Sequence, residues 1–263
     1  MDRLSEKYER LREYLTALGS AAVAFSGGVD SSFLLAAAHQ ALGDKAFAVT
    51  VRSFLVPERE AAEAVNFCSG RGIRQLFYDF TDISPIRSNP ADRCYICKRM
   101  IFEGIMSIAR RYGAEVMEGT NLDDESDYRP GMRALAELHV KSPLRELGFT
   151  KAEIRELSRR LGLPTADKPS AACLASRFAY GEVLSEERLA AVGKAEELLR
   201  DMGFGCVRVR VSGASARIEV PPQDIPRLAA CRSEFVSRIK ELGFTYVSAD
   251  LEGYRTGSMN EEL

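Results

Sequence analysis

The run Ala21-Ala22-Val23-Ala24-Phe25 leads directly into Ser26-Gly27-Gly28-Val29-Asp30-Ser31-Ser32, and this junction sets the fold. A short apolar run bounded by turn residues reads as a buried strand. Ser31 to Leu42 then reads as a helix that Gly43 stops. Gly27 and Gly28 let the backbone turn sharply and approach an anion closely. The hydroxyls of Ser26, Ser31 and Ser32, with the free amides of the helix start, can donate to phosphate oxygens. Asp30 is out of place beside a phosphate unless a cation such as Mg2+ mediates. A bare Ser-Gly-Gly would be no more than a strand-to-helix turn. The full string behind an apolar strand is far more specific, and it is not a Walker loop, because no Gly-Lys-Ser/Thr closes it.

Working outward, strands and helices alternate. A helix at 2–18 precedes the first strand, and further strands are expected at 47–51, 73–80 and 115–118. Helices are expected at 58–69 and 94–112, a loop at 81–93 and a polar, turn-rich stretch at 119–133. A fifth strand is expected at 139–144, and Thr150 with Glu153 forms a capping box for a helix to Leu161. This order predicts a doubly wound parallel sheet with right-handed crossovers. The pattern changes after 162–182, a stretch holding Gly162, Pro164, Pro169 and Gly181. Beyond it come a helix at 185–202, strands at 206–211 and 215–220, a helix at 231–242 and a strand at 244–250, which predict a small α+β domain with an antiparallel pair. The expected organisation is therefore a first domain over 1–165, a linker over 166–182 carrying Cys173, and a second domain over 183–263 that binds substrate or serves oligomerisation.

The formal charge of −2 leaves no global basic field for nucleic acid. No apolar run approaches the roughly 20 residues of a membrane span, and Met1 to Tyr14 lacks the apolar stretch of a signal peptide. The expectation is a cytoplasmic protein without membrane or nucleic-acid partners. In that compartment six cysteines are not a disulfide framework. Cys94 and Cys97 form a Cys-x-x-Cys at an expected helix start, where the helix dipole favours thiolate. Cys173 lies in the small-residue stretch Pro169 to Arg177, a poor place for a packed core cysteine, and Arg177 beside it would stabilise a thiolate. Three thiolates are enough to hold an iron–sulfur cluster with one iron left open, although the usual protein ligation is four cysteines. Cys68, Cys206 and Cys231 fall in ordinary helix or strand patterns and read as structural. His39 and His139 lack metal-like spacing.

The string Ser26 to Ser32 resembles the PP-loop of the ATP pyrophosphatase superfamily, whose members bind the pyrophosphate of ATP there and adenylate a substrate. With Gly119 to Asp124, Lys168 to Arg177, Val207 to Val220 and Gly253 to Asn260, the chain resembles the LarE family over its whole length. That family comprises ATP-dependent sulfur transferases that build the nickel-pincer cofactor of lactate racemase. The resemblance implies ATP and Mg2+ held by Ser26, Gly27, Gly28, Val29, Asp30, Ser31, Ser32, Ser53, Gly119, Thr120, Asn121 and Asp123. It implies a nicotinate-derived dicarboxylate mononucleotide as the substrate that is adenylated. A cysteine at the position of Cys173 attacks the activated carboxyl, with Asp30, Ser176 and Arg177 as further catalytic candidates. Single-cysteine members surrender that sulfur and leave dehydroalanine. Cys94 and Cys97 depart from that pattern, and the chain resembles the multi-cysteine branch, in which three cysteines are thought to hold a 4Fe-4S cluster that delivers sulfide. A homo-oligomer is implied too, a hexamer among the options.

Arg208 and Arg210 alternate with Val207, Val209 and Val211, so both arginines face one side of a strand, and paired arginines suit a phosphate. With Arg177 they are candidates for the mononucleotide phosphate, and similarity adds Glu196 and Asp224. Arg217 and Glu219 alternate on the next strand. Three readings compete with sulfur transfer to a small molecule. They are a PP-loop tRNA thiolase, an ammonia-dependent synthetase of the NAD synthetase kind, and a non-catalytic nucleotide-binding module.

Overall fold

The computed structural model describes residues 2–126, 131–169 and 172–255. Ser170 and Ala171 of the Pro169–Arg177 stretch, and residues 256–260 of the Gly253–Asn260 stretch, lie outside the described residues. The chain divides into two compact units, one of Met1–Ser53, Glu58–Asp82 and Cys94–Ala171, the other of Phe54–Pro57, Ile83–Arg93 and Ala172–Leu263.

The first unit is built on α1 (Arg3–Leu18), β1 (Ala21–Ala24), α2 (Val29–Leu42), β2 (Ala46–Arg52), α3 (Glu58–Ser69), β3 (Gln75–Asp79), α4 (Arg93–Arg110), β4 (Glu115–Met117), α5 (Gly131–Glu137), α6 (Pro143–Glu146) and α7 (Lys151–Arg160). The strands form an all-parallel sheet in the order β3-β2-β1-β4. A parallel sheet needs both faces covered, and β1 shows how this is met. Ala21 and Val23 face a core with Phe33 and Leu34 of α2, Leu11 and Leu15 of α1, and Ile154 of α7. Ala22, with Phe47 and Val49 of β2, faces a second core with Phe102 and Ile105 of α4. Phe33 to Ala38 of α2 are all buried, the pattern of a helix enclosed on every side. The chain leaves β1 for β2 on one side and returns to β4 on the other. The carboxyl ends of β1 and β4 therefore flank the switch point, where ligands of such sheets bind.

The expected fifth strand does not form. Lys141 makes a single bridge to Met117, and Pro143 opens α6 immediately afterwards. Proline cannot donate to a ladder, and His139, at φ 54°, breaks the extended run before it. The stretch expected as turns at 119–133 holds a 3-10 segment, Leu122–Ser126, and the start of α5. The capping box is present: Glu153 N donates to Thr150 Oγ1 at 3.3 Å and Thr150 N donates to Glu153 Oε2 at 2.9 Å.

The second unit contains α8 (Glu186–Asp201), β5 (Arg208–Ser212), β6 (Ser215–Glu219), α9 (Ile225–Ala230), α10 (Arg232–Glu241) and β7 (Tyr246–Ala249). Its sheet runs β5-β6-β7, antiparallel between the first two strands, as expected, and parallel between the last two. Hydrogen bonds tie the two early excursions into this unit. Leu174 N donates to Leu55 O at 2.9 Å. The side chain of buried Asn89 donates to the carbonyls of Phe178 at 3.0 Å and Ala179 at 2.7 Å. Among the described residues no helix is long and apolar enough to cross a membrane.

Removal of the cap in Thr150→Ala is expected to cost about 1 kcal/mol of stability, measured as a lowered urea midpoint against the parent protein.

Candidate active site

At the end of β1 the chain turns through Gly27, whose φ of 73° lies in the left-handed region. Gly28 is the N-cap of α2 and contributes no side chain to the first-turn amides. The hydroxyls of Ser26 and Ser31 lie 3.1 Å apart, and Ser31 Oγ donates to Gly28 O at 3.2 Å. Val29 and Ser32 are buried, and Ser32 Oγ has no hydrogen-bond partner among the described residues. Such an orphaned donor at an open helix N-terminus fits an anion. From the far side of the switch point, Gly119 comes so close that a Cβ there would lie 2.9 Å from Ser31 N. Only glycine permits that approach. Ser53, half-buried, follows β2 at the same edge of the sheet.

The charge on Asp30 has a local answer. Lys151 Nζ donates to Asp30 Oδ2 at 2.5 Å, and Asn121 Nδ2 to Asp30 Oδ1 at 3.3 Å. Lys151 is the first residue of α7, and its backbone amide donates to Asp123 Oδ2 at 2.8 Å. Asp123 N in turn donates to Asn121 Oδ1 at 2.9 Å. Thr120 donates to buried Glu118 Oε2 from both its amide, at 3.0 Å, and its hydroxyl, at 2.7 Å, and Ser142 Oγ donates to Glu118 Oε1 at 2.6 Å. Asp30, Asn121 and Asp123 are thus brought together beside the loop, with Thr120 held by Glu118. Lys151, Glu118 and Lys168 were not among the residues expected there. Lys168 Nζ donates to Gly27 O at 3.0 Å and pairs with Glu60 and Glu63. The capping box was the signal for Lys151, since it makes this lysine the first helical residue.

In the second unit Cys173 is exposed and caps a 3-10 turn, Leu174–Arg177. Its carbonyl accepts from Ser176 N at 3.1 Å, Ser176 Oγ at 2.8 Å and Arg177 Nη1 at 3.2 Å. Arg177 therefore grips the backbone of Cys173, a different contact from the one to the thiol expected from the sequence. The rest of its guanidinium forms a two-pronged pair with Glu196, Nε to Oε1 at 2.8 Å and Nη2 to Oε2 at 3.0 Å, and both side chains are buried. Glu196 also accepts from Arg200 Nη2 at 2.8 Å and Val209 N at 3.1 Å. Burial alone would raise the Glu196 carboxyl, but the hydrogen bond and charge of Arg177 hold it below the usual range. Arg208 lies near the same cluster, and burial together with the like charge of Arg177 lowers its guanidinium below the usual arginine range. Arg210 donates to Glu219 Oε2 at 3.0 Å and to Ser176 O at 2.8 Å. Arg217 pairs with Glu219 at 3.3 Å. Asp224 starts α9, on a separate element from this cluster.

Cys94 and Cys97 lie near the start of α4, one turn apart, exposed and half-buried respectively. They belong to the first unit and Cys173 to the second. Among the described residues, neither unit by itself gathers three His, Cys, Asp or Glu side chains as a metal ion requires. Cys68 is buried, and that burial pushes its thiol up to about 12, which suits a core residue and not a nucleophile.

A parallel sheet whose first strand enters Ser-Gly-Gly-Val-Asp-Ser-Ser, with a second glycine loop across the switch point, defines the ATP-utilising PP-loop class. The glutamine-hydrolyzing GMP synthase of Aeropyrum pernix is 31% identical over 62% of this chain and 35% of its own length. No family model matches the chain. An uncharacterized protein of Synechocystis is 41% identical over 99% of both chains. The pyridinium-3,5-bisthiocarboxylic acid mononucleotide synthase of Lactiplantibacillus plantarum is 36% identical over 100% of this chain and 97% of its own. The chain belongs to the LarE family of sulfur-inserting enzymes.

Glu196→Ala strands buried Arg177 without its anion and is expected to cost about 3–5 kcal/mol, whereas Arg217→Ala, which removes a half-exposed side chain and leaves Glu219 paired with Arg210, should cost at most about 1 kcal/mol. Because the Glu196 carboxyl is depressed, its contribution is complete above the unfolded carboxylate range near 4.5 and is lost as pH falls through its lower folded value. Urea midpoints across that acid range should fall more steeply with decreasing pH in the parent than in Glu196→Gln.

Proposed function

We propose that the protein uses ATP to adenylate a carboxylate of a pyridinium dicarboxylate mononucleotide and then inserts sulfur, giving the thiocarboxylate. The observation that carries the ATP half is the convergence of Gly119, Asp30 and Lys151 on the open amides at the start of α2. In this reading the substrate carboxylate attacks the α-phosphorus and pyrophosphate leaves. The amides after Gly28, the Ser26 and Ser31 hydroxyls and Lys151 neutralise the departing oxygens. Asp30 would hold the Mg2+ that accompanies ATP, a cation that takes hard oxygen donors, and Lys151 would then be free to turn to the phosphates. Ser53, Thr120, Asn121 and Asp123 line the nucleotide. The mononucleotide phosphate is assigned to the cluster of Arg177, Arg208 and Arg210 with Glu196, and Asp224 to its margin. Arg177, Arg200 and Arg208 all act on Glu196, and Arg208, lowered by burial and by the charge of Arg177, would be relieved by an incoming anion.

The sulfur half rests on Cys173, which is exposed while its carbonyl is fixed by Ser176 and Arg177. Its thiolate attacks the acyl carbon and AMP departs. Breakage of the Cβ–S bond, with loss of the Cα proton, then releases the thiocarboxylate and leaves dehydroalanine. Negative charge develops toward the Cys173 carbonyl oxygen in that step, where Ser176 and Arg177 donate. The resemblance to the multi-cysteine branch supports a second source, a 4Fe-4S cluster for which Cys94, Cys97 and Cys173 would be the candidate ligands, although the described residues gather no such group. Bound there, a cluster would supply a sulfide nucleophile and leave Cys173 intact.

Intact mass after one turnover with ATP and the dicarboxylate mononucleotide separates the two sources: loss of one hydrogen sulfide at Cys173 marks sacrifice, and unchanged mass with visible cluster absorption marks the cluster. Cys173→Ala is expected to release pyrophosphate yet form no thiocarboxylate; a Cys173→Ala protein that still transfers sulfur overturns the proposal. Lys151→Met should slow pyrophosphate release at least about tenfold, read by coupled phosphate detection.

A further inference from the structure

Lys168 lies beyond α7, the last described helix of its unit, in a segment where nothing about a solvated loop calls for a cation held against the protein. Its side chain is only 12% exposed, and Nζ lies 2.7 Å from both Glu60 and Glu63 of α3. The same ammonium donates to the carbonyl of Gly27 at 3.0 Å. Burial works against its charge, but the hydrogen bonds to the two carboxylates outweigh this and raise the ammonium above the usual lysine range, so it stays protonated. Arg155 anchors the segment by donating to Ala166 O at 2.6 Å and Lys168 O at 2.9 Å.

Gly27 is the residue whose left-handed conformation turns the loop. Rotation of the peptide that joins Gly27 to Gly28 would exchange the directions of its carbonyl and its amide. A carbonyl aimed at a phosphate would repel it, while an amide in that place donates to it. A buried cation fixed on the Gly27 carbonyl determines which of the two groups the ligand meets. Ala64 of α3 favours glycine here, since a Cβ on Gly27 would lie 3.2 Å from the Ala64 methyl. Helix α3 therefore bears on this residue twice: its Ala64 methyl leaves little room for a side chain at position 27, and its glutamates hold the lysine on the Gly27 carbonyl.

We propose that Lys168 is a positioning residue that holds the Gly27–Gly28 peptide in its anion-binding orientation, with Glu60 and Glu63 as the pair that keeps Lys168 on the carbonyl and away from the phosphates. The inference rests on the ATP reading of the loop and deepens it. It differs from a direct role, in which Lys168 itself would touch the phosphates, by the sign of one effect. If Lys168 acts directly, removal of the two carboxylate charges frees it and tightens ATP binding. If it acts through Gly27, removal of those charges loosens the ammonium and weakens ATP binding.

The experiment is direct titration of Mg-ATP into the full chain by calorimetry, for the parent, Lys168→Met, Lys168→Arg and the double variant Glu60→Gln, Glu63→Gln. Loss of a charged hydrogen bond predicts ATP binding about tenfold weaker in Lys168→Met, with partial recovery in Lys168→Arg. The double variant should also bind ATP more weakly, and the KM for the mononucleotide should stay within about twofold throughout. Both carboxylates are partly exposed, at 22% and 44%, so the double variant tests the inference even where Lys168→Met fails to fold. Unchanged ATP affinity in a folded Lys168→Met, or tighter binding in the double variant, overturns the inference and leaves the ATP reading standing. A parent protein that does not bind Mg-ATP overturns both.

Discussion

A triphosphate brings more negative charge than a turn of backbone amides neutralises, and the loop Ser26–Ser32 contains no cation of its own. In a Walker loop a lysine within the motif meets that demand. Here positive charge has to arrive from elsewhere in the chain, and the fold of the first unit is arranged to deliver it. Helix α7 starts where its first residue, Lys151, reaches Asp30. The segment after α7 returns to place Lys168 on the Gly27 carbonyl. Lys168 is already matched by two glutamates and is tied to the backbone. Among the described residues Lys151 pairs with one carboxylate, Asp30, which in the proposed reading a metal ion would take over. The two lysines thus divide the work, one setting the geometry of the loop and one available to the ligand.

The second unit solves a different charge problem. Glu196 is fully buried, a placement that is very unfavourable for an isolated carboxylate. Arg177 and Arg200 compensate it, and Val209 N fills a further acceptor position. Because Arg177 also holds the Cys173 carbonyl, the same buried pair that stabilises the unit fixes the backbone of its exposed thiol. A buried ion pair adds little net stability over apolar packing of equal volume. Its value here is directional: it locks a guanidinium in the one pose that reaches Cys173.

Much of this was legible in the sequence because it depends on local pattern. The junction from Ala21 to Ser32 identified strand, loop and helix together, and the capping box at Thr150 located α7 to the residue. The expected strand at 139–144 failed because apolar content says nothing about φ at His139 or about the missing amide of Pro143. The pairings of Lys151 with Asp30 and Lys168 with Gly27 span 121 and 141 residues. No local pattern encodes such contacts, since they exist only once β1, α3 and α7 are in place. Arg177 shows the same limit. Its proximity to Cys173 in sequence pointed to the thiol, whereas the buried Glu196, nineteen residues on, turns it toward the carbonyl.

The contrast among the cysteines bears on the source of sulfur. Cys68 is buried with a raised thiol pKa, and a thiol of that kind neither attacks nor ligates at neutral pH. Cys94 and Cys173 are exposed, and Cys97 is half-buried one helical turn from Cys94. Spacing of i and i+3 puts Cys94 and Cys97 on one face of α4, which is the arrangement two ligands of a shared centre need. In the proposed reading, sacrifice draws on Cys173 alone, while a cluster would draw on all three thiols and spare the protein after each turnover. The fixed carbonyl of Cys173 serves either route, because a ligand and a nucleophile both need a backbone that does not move. The pair on α4 is therefore the feature on which the two proposed chemistries differ.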